Sequence, residues 1–276
     1  MKTISFPDGA VVPALGQGTW MLAERPERRA SEIATLREGV YLGLTLIDTA
    51  EMYADGEAER LVGEAILGIR DRVFLVSKAY PQNASYERLP RACEASLRRL
   101  GTDRLDLYLL HWRGNVPLAE TVDAMEQLVA DGKILRWGVS NLDTDDMAEL
   151  EAIGGDRCQT NQILYNLSRR GPEHDLIPWL SARGMPVMAY SPVEQGRLVT
   201  NSALAEFAFE RGATPAQVAL AWVLDHDGIM AIPRAGTVEH VRENRSAAEL
   251  RLSAADRRHL DTLFPPPRRR IPLEML

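Results

Sequence analysis

Short apolar runs alternate with longer amphipathic segments along almost the whole chain. The short runs are rich in Val, Ile and Leu, which is typical of buried strands. The longer segments repeat apolar residues at helical spacing, as Leu118, Val122, Met125 and Val129 do. The predicted strands are 14–20, 45–48, 73–77, 105–110, 134–139, 158–162, 186–190 and 229–232. The predicted helices are 27–42, 57–68, 86–100, 118–130, 144–153, 174–183, 201–211, 215–226, 238–247 and 254–263.

This alternation predicts a single α/β domain over residues 1–276, a (β/α)8 TIM barrel. No Gly-x-Gly-x-x-Gly opens a strand–helix junction, which disfavours a Rossmann sheet. Residues 1–13 contain an Asp-Gly step between two β-prone runs and predict an N-terminal β-hairpin. Residues 264–276 begin with a run of prolines, so we expect a non-helical C-terminal tail over the barrel surface.

Composition narrows the class of protein. The net charge of -7 argues against nucleic acid as a partner. No apolar run is long enough to span a membrane and no signal region opens the chain, so we expect a cytoplasmic protein without membrane contact. We also expect a monomer. The two cysteines, Cys93 and Cys158, form no CxxC, and the five histidines form no HxH or HExxH, so we expect no metal.

Polar side chains end three successive predicted strands. Asp48, Lys78 and His111 occupy these ends, and Tyr53 follows Asp48 within the next loop. The carboxyl ends of parallel strands face one rim, where active sites collect. There Lys78 would lower the pKa of the Tyr53 phenol, Asp48 would keep the lysine charged, and His111 would direct a substrate oxygen. Each residue alone also fits a structural ion pair or hydrogen bond, but the four together favour proton transfer to a carbonyl or from an alcohol.

The remaining strand ends are also polar. A hydroxyl, amides, an aromatic face and a guanidinium around one rim suit a nicotinamide dinucleotide, although amides and hydroxyls also tie down loops in many proteins. The candidate cofactor-binding residues at these ends are Ser140, Asn141, Gln162, Tyr190, Ser191, Pro192 and Arg234.

Several spaced motifs, in order along nearly the whole chain, resemble those of the aldo-keto reductases. They are Asp48-Thr49-Ala50-Glu51-Met52-Tyr53, Val76-Ser77-Lys78, Leu109-Leu110-His111-Trp112, Gly138-Val139-Ser140-Asn141, Gln159-Thr160-Asn161-Gln162, Tyr190-Ser191-Pro192-Val193 and the segment from Ile232 to Asn244. The resemblance implies a barrel enzyme that reduces aldehydes or ketones with NADPH. It implies that Tyr53 is the general acid, that Lys78 and Asp48 tune it, and that His111 orients the carbonyl.

The resemblance also extends the cofactor site to Thr237, His240, Glu243 and Asn244. The family's usual clamp for the 2′-phosphate is Lys-Ser followed by an Arg, where this chain has Arg234, Ala235 and His240. Arg234 can still bind a phosphate in bidentate fashion. We therefore expect NADPH to be preferred, with some use of NADH.

The loops after His111 and Ser191 are short, which predicts an open substrate pocket lined by Trp20, Met52 and Trp112, with the C-terminal tail at its edge. The Ala-Gly-Thr-Val-Glu-His segment and the Phe-Pro-Pro-Pro tail are similar to bacterial members of the family that reduce methylglyoxal and related small aldehydes. The expected substrate is accordingly a small carbonyl compound.

Two other functions fit part of the pattern. A lysine at a barrel strand end can attack a carbonyl, so Lys78 could serve a Schiff-base lyase, although Asp48 and Tyr53 beside it would keep the amine protonated. The fold could also belong to a binding protein that senses nicotinamide nucleotides without catalysis. Loss of the nicotinamide absorbance on addition of an aldehyde distinguishes a reductase from both.

Overall fold

A computed structural model describes all residues from 1 to 276, with ten strands, ten α-helices and six short 3-10 helices. The strands are β1 Thr3–Ser5, β2 Val11–Pro13, β3 Gln17–Gly18, β4 Leu46–Asp48, β5 Phe74–Ala79, β6 Leu107–Leu110, β7 Trp137–Ser140, β8 Asn161–Leu164, β9 Val187–Tyr190 and β10 Ile229–Ala231. The helices are α1 Arg29–Tyr41, α2 Glu57–Ile66, α3 Arg88–Leu100, α4 Leu118–Ala130, α5 Thr144–Ala152, α6 Leu176–Ser181, α7 Ser202–Phe209, α8 Pro215–Asp225, α9 Val238–Ala247 and α10 Ala254–Leu263. The 3-10 helices are Pro26–Arg28, Tyr53–Gly56, Arg70–Arg72, Pro81–Asn83, Gly171–Glu173 and Glu194–Gly196.

Strands β3 to β10 form one parallel sheet in which every neighbour in space is also the neighbour in sequence. Parallel bridges join Leu15 to Ala231 and Gly18 to Arg234, so the first and last strands of the sheet meet. This arrangement is consistent with the (β/α)8 barrel expected from the sequence. Strands β1 and β2 pair antiparallel with Ile4 opposite Val12, which confirms the predicted hairpin.

The junction between the first and last strands requires a glycine. A Cβ added at Gly18 would lie 2.6 Å from the carbonyl oxygen of Ile232. Real Cβ atoms do not approach backbone that closely, so any side chain here would push β3 away from the end of β10. The absence of a side chain at this position therefore permits the sheet to close.

Local signals in the sequence account for several helix boundaries. Asp143, Thr214 and Ser253 each cap the helix that follows, and each belongs to a complete capping box. Pro215 takes the first position of α8, where its missing N–H costs no hydrogen bond. The first strand of the parallel sheet, β3, is shorter than the predicted run 14–20, since only Gln17–Gly18 have strand geometry.

The C-terminal tail forms neither helix nor strand, as its prolines predict. It is held to the barrel by Arg170, which donates to the Phe264 carbonyl oxygen at 2.6 Å, and by Arg270, which pairs with Asp145 at 2.8 Å and with Asp175 at 2.9 Å. Across the whole chain, no helix has both the length and the apolar character that crossing a membrane would require. No group of three His, Cys, Asp or Glu side chains is arranged to hold a metal ion.

Candidate active site

The strand ends bring the predicted proton-relay residues into direct contact. Asp48 ends β4, and Lys78 lies near the end of the adjacent strand β5. The Lys78 ammonium donates to Asp48 Oδ2 at 2.7 Å, to the Thr49 carbonyl oxygen at 2.9 Å and to the Tyr53 hydroxyl at 3.1 Å. Because an ammonium has three N–H donors, these three acceptors satisfy it completely.

Lys78 and Asp48 form a fully buried ion pair. Burial alone would lower the pKa of Lys78, but the Asp48 carboxylate and the Tyr53 hydroxyl more than offset it, so the pKa is raised above its ordinary value. Burial raises the pKa of Asp48, which Lys78 and a hydrogen bond from Gln162 partly oppose. The amine is therefore held as a charged donor that points at the phenol.

Tyr53 differs from the sequence-based prediction in the direction of its pKa. Lys78 does lower the pKa of the phenol, as expected, but burial of the phenol is the larger effect and the net pKa is raised. The sequence could not reveal the extent of this burial, because it depends on the residues that surround the loop in three dimensions. Tyr53 is thus protonated in the resting site and available as a proton donor.

His111 lies in the same cluster and is uncharged. Burial, with a smaller contribution from the Lys78 charge, lowers the pKa of His111 to about 2. Its ring centroid is 5.8 Å from that of Tyr53 and 4.9 Å from that of Trp112. Its Nδ1 is buried without a hydrogen-bond partner. A neutral imidazole beside a phenol can donate a hydrogen bond to a substrate oxygen without competing for its proton.

Hydrogen bonds orient the amides of Asn141, which directly follows β7, and of Gln162, which lies inside β8 because that strand runs from Asn161 to Leu164 and does not end at Gln162 as predicted. Asn141 donates to the His111 carbonyl oxygen and to Ser140 Oγ, both at 3.1 Å, and accepts from the Tyr190 hydroxyl at 3.0 Å. Gln162 donates to Asp48 Oδ1 at 2.8 Å. Gln162, expected from sequence only as a cofactor ligand, therefore also positions the carboxylate of the buried pair.

A cavity of about 680 Å³ opens above these residues. It brings together most of the predicted site: Asp48, Tyr53, His111, Ser140, Asn141, Gln162, Tyr190, Ser191, Pro192, Arg234, Trp20, Met52 and Trp112 all line it. Lys78 lies beneath the lining, against Tyr53. The cavity runs from the proton-relay cluster to the exposed guanidinium of Arg234.

The four residues predicted from the family motif on helix α9 lie outside this cavity. Thr237 caps the helix by accepting from the His240 N–H, and His240 is exposed on the first turn. The Glu243 carboxylate accepts from Thr214 Oγ1 at 2.6 Å, and Asn244 is buried. Because these four residues do not line the cavity, their assignment to the cofactor stays a prediction.

Two segments that line the cavity were not predicted to do so residue by residue. Met275 and Leu276 of the tail line the cavity, as do Gln195 and Gly196 of the segment after β9. Ser191, Glu194 and Gln195 all have left-handed backbone, with φ of 48°, 50° and 54°. The tail carries no periodicity that would direct its last residues to the site, although its position at the pocket edge was expected. The left-handed residues are not glycines, so nothing in their identity indicated the turn.

Comparison with known proteins adds independent information. The sequence profile described as "Aldo/keto reductase family" matches residues 14–264. The chain is 54% identical over 281 aligned residues to methylglyoxal reductase YeaE from Escherichia coli (strain K12), with 100% of this chain and 99% of that relative covered. Glyoxal reductase from Bacillus subtilis (strain 168) is 32% identical over 262 residues, with 95% of this chain and 92% of the relative covered.

Solved structures agree with this fold. An aldo/keto reductase from Klebsiella pneumoniae, crystallised in complex with NADP and acetate, matches with a TM-score of 0.97 and 54% sequence identity, covering 100% of this chain and 99% of that one. A thermostable aldo-keto reductase, Tm1743, crystallised with the inhibitor epalrestat, matches with a TM-score of 0.90 and 38% identity, covering 95% of this chain and 100% of that one.

Proposed function

The chain belongs to the aldo/keto reductase family, and we propose that it is an NADPH-dependent oxidoreductase that reduces small aldehydes and ketones, such as methylglyoxal, to alcohols. The observation that carries this proposal is the contact of 3.1 Å between the buried Lys78 ammonium and the Tyr53 hydroxyl at the base of the cavity. Relatives named methylglyoxal reductase and glyoxal reductase support the choice of substrate class.

The residues of the cavity fit a nicotinamide dinucleotide phosphate. Ser140, Asn141 and Gln162 offer a hydroxyl and two amides beside the proton-relay cluster, and the exposed guanidinium of Arg234 lies on the same lining. An amide group and a phosphate would each find matching partners there. Tyr190, Ser191 and Pro192 complete this wall. We assign the 2′-phosphate to Arg234, Thr237 and His240, and the adenine to Glu243 and Asn244, from the family motif. When bound, NADPH supplies the hydride for the reduction.

The chain's own residues supply the proton and its control. As the carbonyl carbon is reduced, the oxygen gains negative charge, and the Tyr53 hydroxyl donates its proton to that oxygen. The Lys78 ammonium stabilises the phenolate that remains, since opposite charges in a buried site interact strongly. Asp48 keeps Lys78 charged and in place. Neutral His111 donates a hydrogen bond to the carbonyl oxygen and so aligns it with Tyr53.

The geometry disfavours a Schiff-base lyase. A lysine that attacks a carbonyl must be neutral and must reach the substrate. Lys78 is 0% exposed, its three donors are all used, and its pKa is raised. Its amine therefore serves Tyr53 as a charged donor and does not act as a nucleophile.

Replacing Tyr53 with phenylalanine tests the proposal. We expect the parent protein to consume NADPH when methylglyoxal is added, and Tyr53→Phe to lower kcat by about 10²–10⁴. The dissociation constant of NADPH should stay within about twofold of the parent's value, because only one hydroxyl is removed. Tyr80→Phe is the matched control, since Tyr80 packs against Trp112 but does not line the cavity, and it should retain kcat.

Two results would contradict this assignment. A Tyr53→Phe variant with the parent's kcat would remove Tyr53 as the general acid. A parent protein that reduces steroids or sugars as well as it reduces methylglyoxal would contradict the small-carbonyl assignment while leaving the reaction class intact.

A further inference from the structure

Arg169, in the turn after β8, contacts two carboxylates that lie far apart in the sequence. Its Nε and Nη2 donate to Glu194 Oε1 at 2.9 Å and 2.8 Å. Its Nη1 donates to the Glu274 carboxylate. The rigid fork of a guanidinium can serve two carboxylates in this way, whereas a lysine ammonium offers a single compact charge.

Glu194 holds a strained segment of the cavity wall. The segment 191–197 contains the three left-handed residues Ser191, Glu194 and Gln195. Such backbone at residues other than glycine persists only where its surroundings impose it. The Glu194 side chain is only 4% exposed, and its second oxygen accepts from Asn166 at 2.8 Å. Asn166 also donates to the Ser191 carbonyl oxygen at 2.9 Å, so the segment is held at two points, its first residue and Glu194.

Glu274 holds the other side of the cavity mouth. It directly precedes Met275 and Leu276, whose apolar side chains line the cavity. Both residues are more than half exposed, so packing alone restrains them weakly. The ion pair between Glu274 and Arg169 is the salt bridge closest to the end of the tail, and a backbone hydrogen bond from Leu276 to the Tyr190 hydroxyl lies beyond it.

We propose that Arg169 is a positioning residue that holds both walls of the cavity, the 191–197 segment through Glu194 and the 274–276 segment through Glu274. Through Glu194 it keeps Ser191 and Pro192 in position for the cofactor. Through Glu274 it places Met275 and Leu276 against the substrate, and so sets a preference for carbonyl compounds with an apolar substituent. This inference rests on the proposed carbonyl reduction.

Three variants test the proposal with methylglyoxal and with phenylglyoxal, which is the same dicarbonyl carrying an apolar ring. Glu274→Gln weakens only the contact of Arg169 with the tail and leaves the pair with Glu194 intact. Arg169→Lys keeps the charge but loses the fork. Glu151→Gln is the matched control, because Glu151 also forms a two-bond pair with an arginine, Arg183, at an exposed site away from the cavity.

We expect Glu274→Gln to raise the KM for phenylglyoxal about fivefold, the most that a partly exposed ion pair normally contributes, and to leave the KM for methylglyoxal and the Kd for NADPH within about twofold. Arg169→Lys should raise both the phenylglyoxal KM and the Kd for NADPH by about threefold or more. Glu151→Gln should change none of these values. Equal effects on both carbonyls, or effects of Glu151→Gln that match those of Glu274→Gln, would overturn the proposal.

Amide hydrogen exchange in residues 191–197 provides a readout that does not depend on turnover. Exchange there should be faster in Arg169→Lys than in Glu151→Gln, because the backbone hydrogen bonds of this segment rely on Glu194 being held. A parent protein that reduces neither carbonyl with NADPH would disprove the proposed function. Faster exchange in Arg169→Lys would still support the role of Arg169 as the anchor of the segment, and equal exchange would refute it.

Discussion

Replacing Asp48 with asparagine tests the ion pair at the centre of the site. The substitution preserves the shape of the side chain but leaves the Lys78 ammonium, which is 0% exposed, without a counter-ion and with neutral acceptors only, among them the Thr49 carbonyl and the Tyr53 hydroxyl. A buried charge that loses its counter-ion destabilises a protein by about 3–5 kcal/mol, unless it releases its proton. Once Asp48 no longer opposes burial, the pKa of Lys78 should fall below its ordinary value.

Release of that proton limits the loss, and the limit depends on pH. The ordinary lysine pKa is 10.5. Removing the proton from such a lysine costs about 5 kcal/mol at pH 7, which is about 3.5 pH units below that pKa. At pH 9.5, about one unit below it, the cost is about 1.4 kcal/mol. In the parent protein the folded-state pKa of Lys78 lies above 10.5. The stability that Lys78 contributes is therefore fully present below that pH and is lost only as the pH rises through the folded-state pKa.

We expect urea unfolding, followed by tryptophan fluorescence, to show that Asp48→Asn lowers the free energy of unfolding by about 3–5 kcal/mol at pH 7 and by less than about 2 kcal/mol at pH 9.5. The double variant Asp48→Asn with Lys78→Met is the control. It has no buried charge, so its difference from the parent should not vary between these pH values. The reasoning is refuted if the loss in Asp48→Asn is the same at both.

Three further substitutions have expected outcomes of their own. Folded His111 has a pKa of about 2, whereas an unfolded histidine takes up a proton near its ordinary pKa of 6.5. Between pH 6 and pH 5 the parent should therefore lose about 1 kcal/mol of unfolding free energy relative to His111→Gln. Urea unfolding measures this loss, and a constant difference between the two proteins would contradict it. His240→Arg adds a permanent charge on the first turn of α9 and should tighten NADPH binding about threefold to tenfold relative to NADH, which titration of both cofactors measures; equal tightening would argue against a 2′-phosphate there. Ser253→Ala removes the cap of α10 and should lower the free energy of unfolding by about 1 kcal/mol, and an unchanged urea midpoint would show that the cap contributes nothing.

Much of the fold follows from local patterns in the sequence. The alternation of apolar runs and amphipathic segments gives the order of the eight parallel strands, and the capping residues Asp143, Thr214 and Ser253 locate three helix starts. The alignment of strand ends also predicts that Asp48 and Lys78 meet, because both lie at the carboxyl ends of neighbouring parallel strands. These features are predictable since they depend on residues close together in the chain or on a regular topology.

Other parts of the site depend on contacts that no local pattern encodes. The net direction of the Tyr53 pKa depends on how deeply the phenol is buried. Gln162 carries no sign in the sequence that it bonds to Asp48, which is 114 positions away. The Arg169–Glu274 pair spans 105 positions and joins segments without periodic sequence. Long-range contacts of this kind arise from the closed sheet and its tail, so they become visible only in three dimensions.

Three backbone hydrogen bonds join the first and last strands of the sheet, and one of them is donated by Gly18 to the Pro233 carbonyl oxygen immediately before Arg234. A bound dinucleotide that contacts Arg234 and, across the cavity, Ser140 and Gln162 would brace the ring at this junction. Occupancy of the site and integrity of the barrel are then linked, since a ligand at a hundred times its Kd adds about 2.7 kcal/mol to the free energy of unfolding. Cellular depletion of the dinucleotide would, on this view, shorten the lifetime of the folded enzyme as well as slow its turnover.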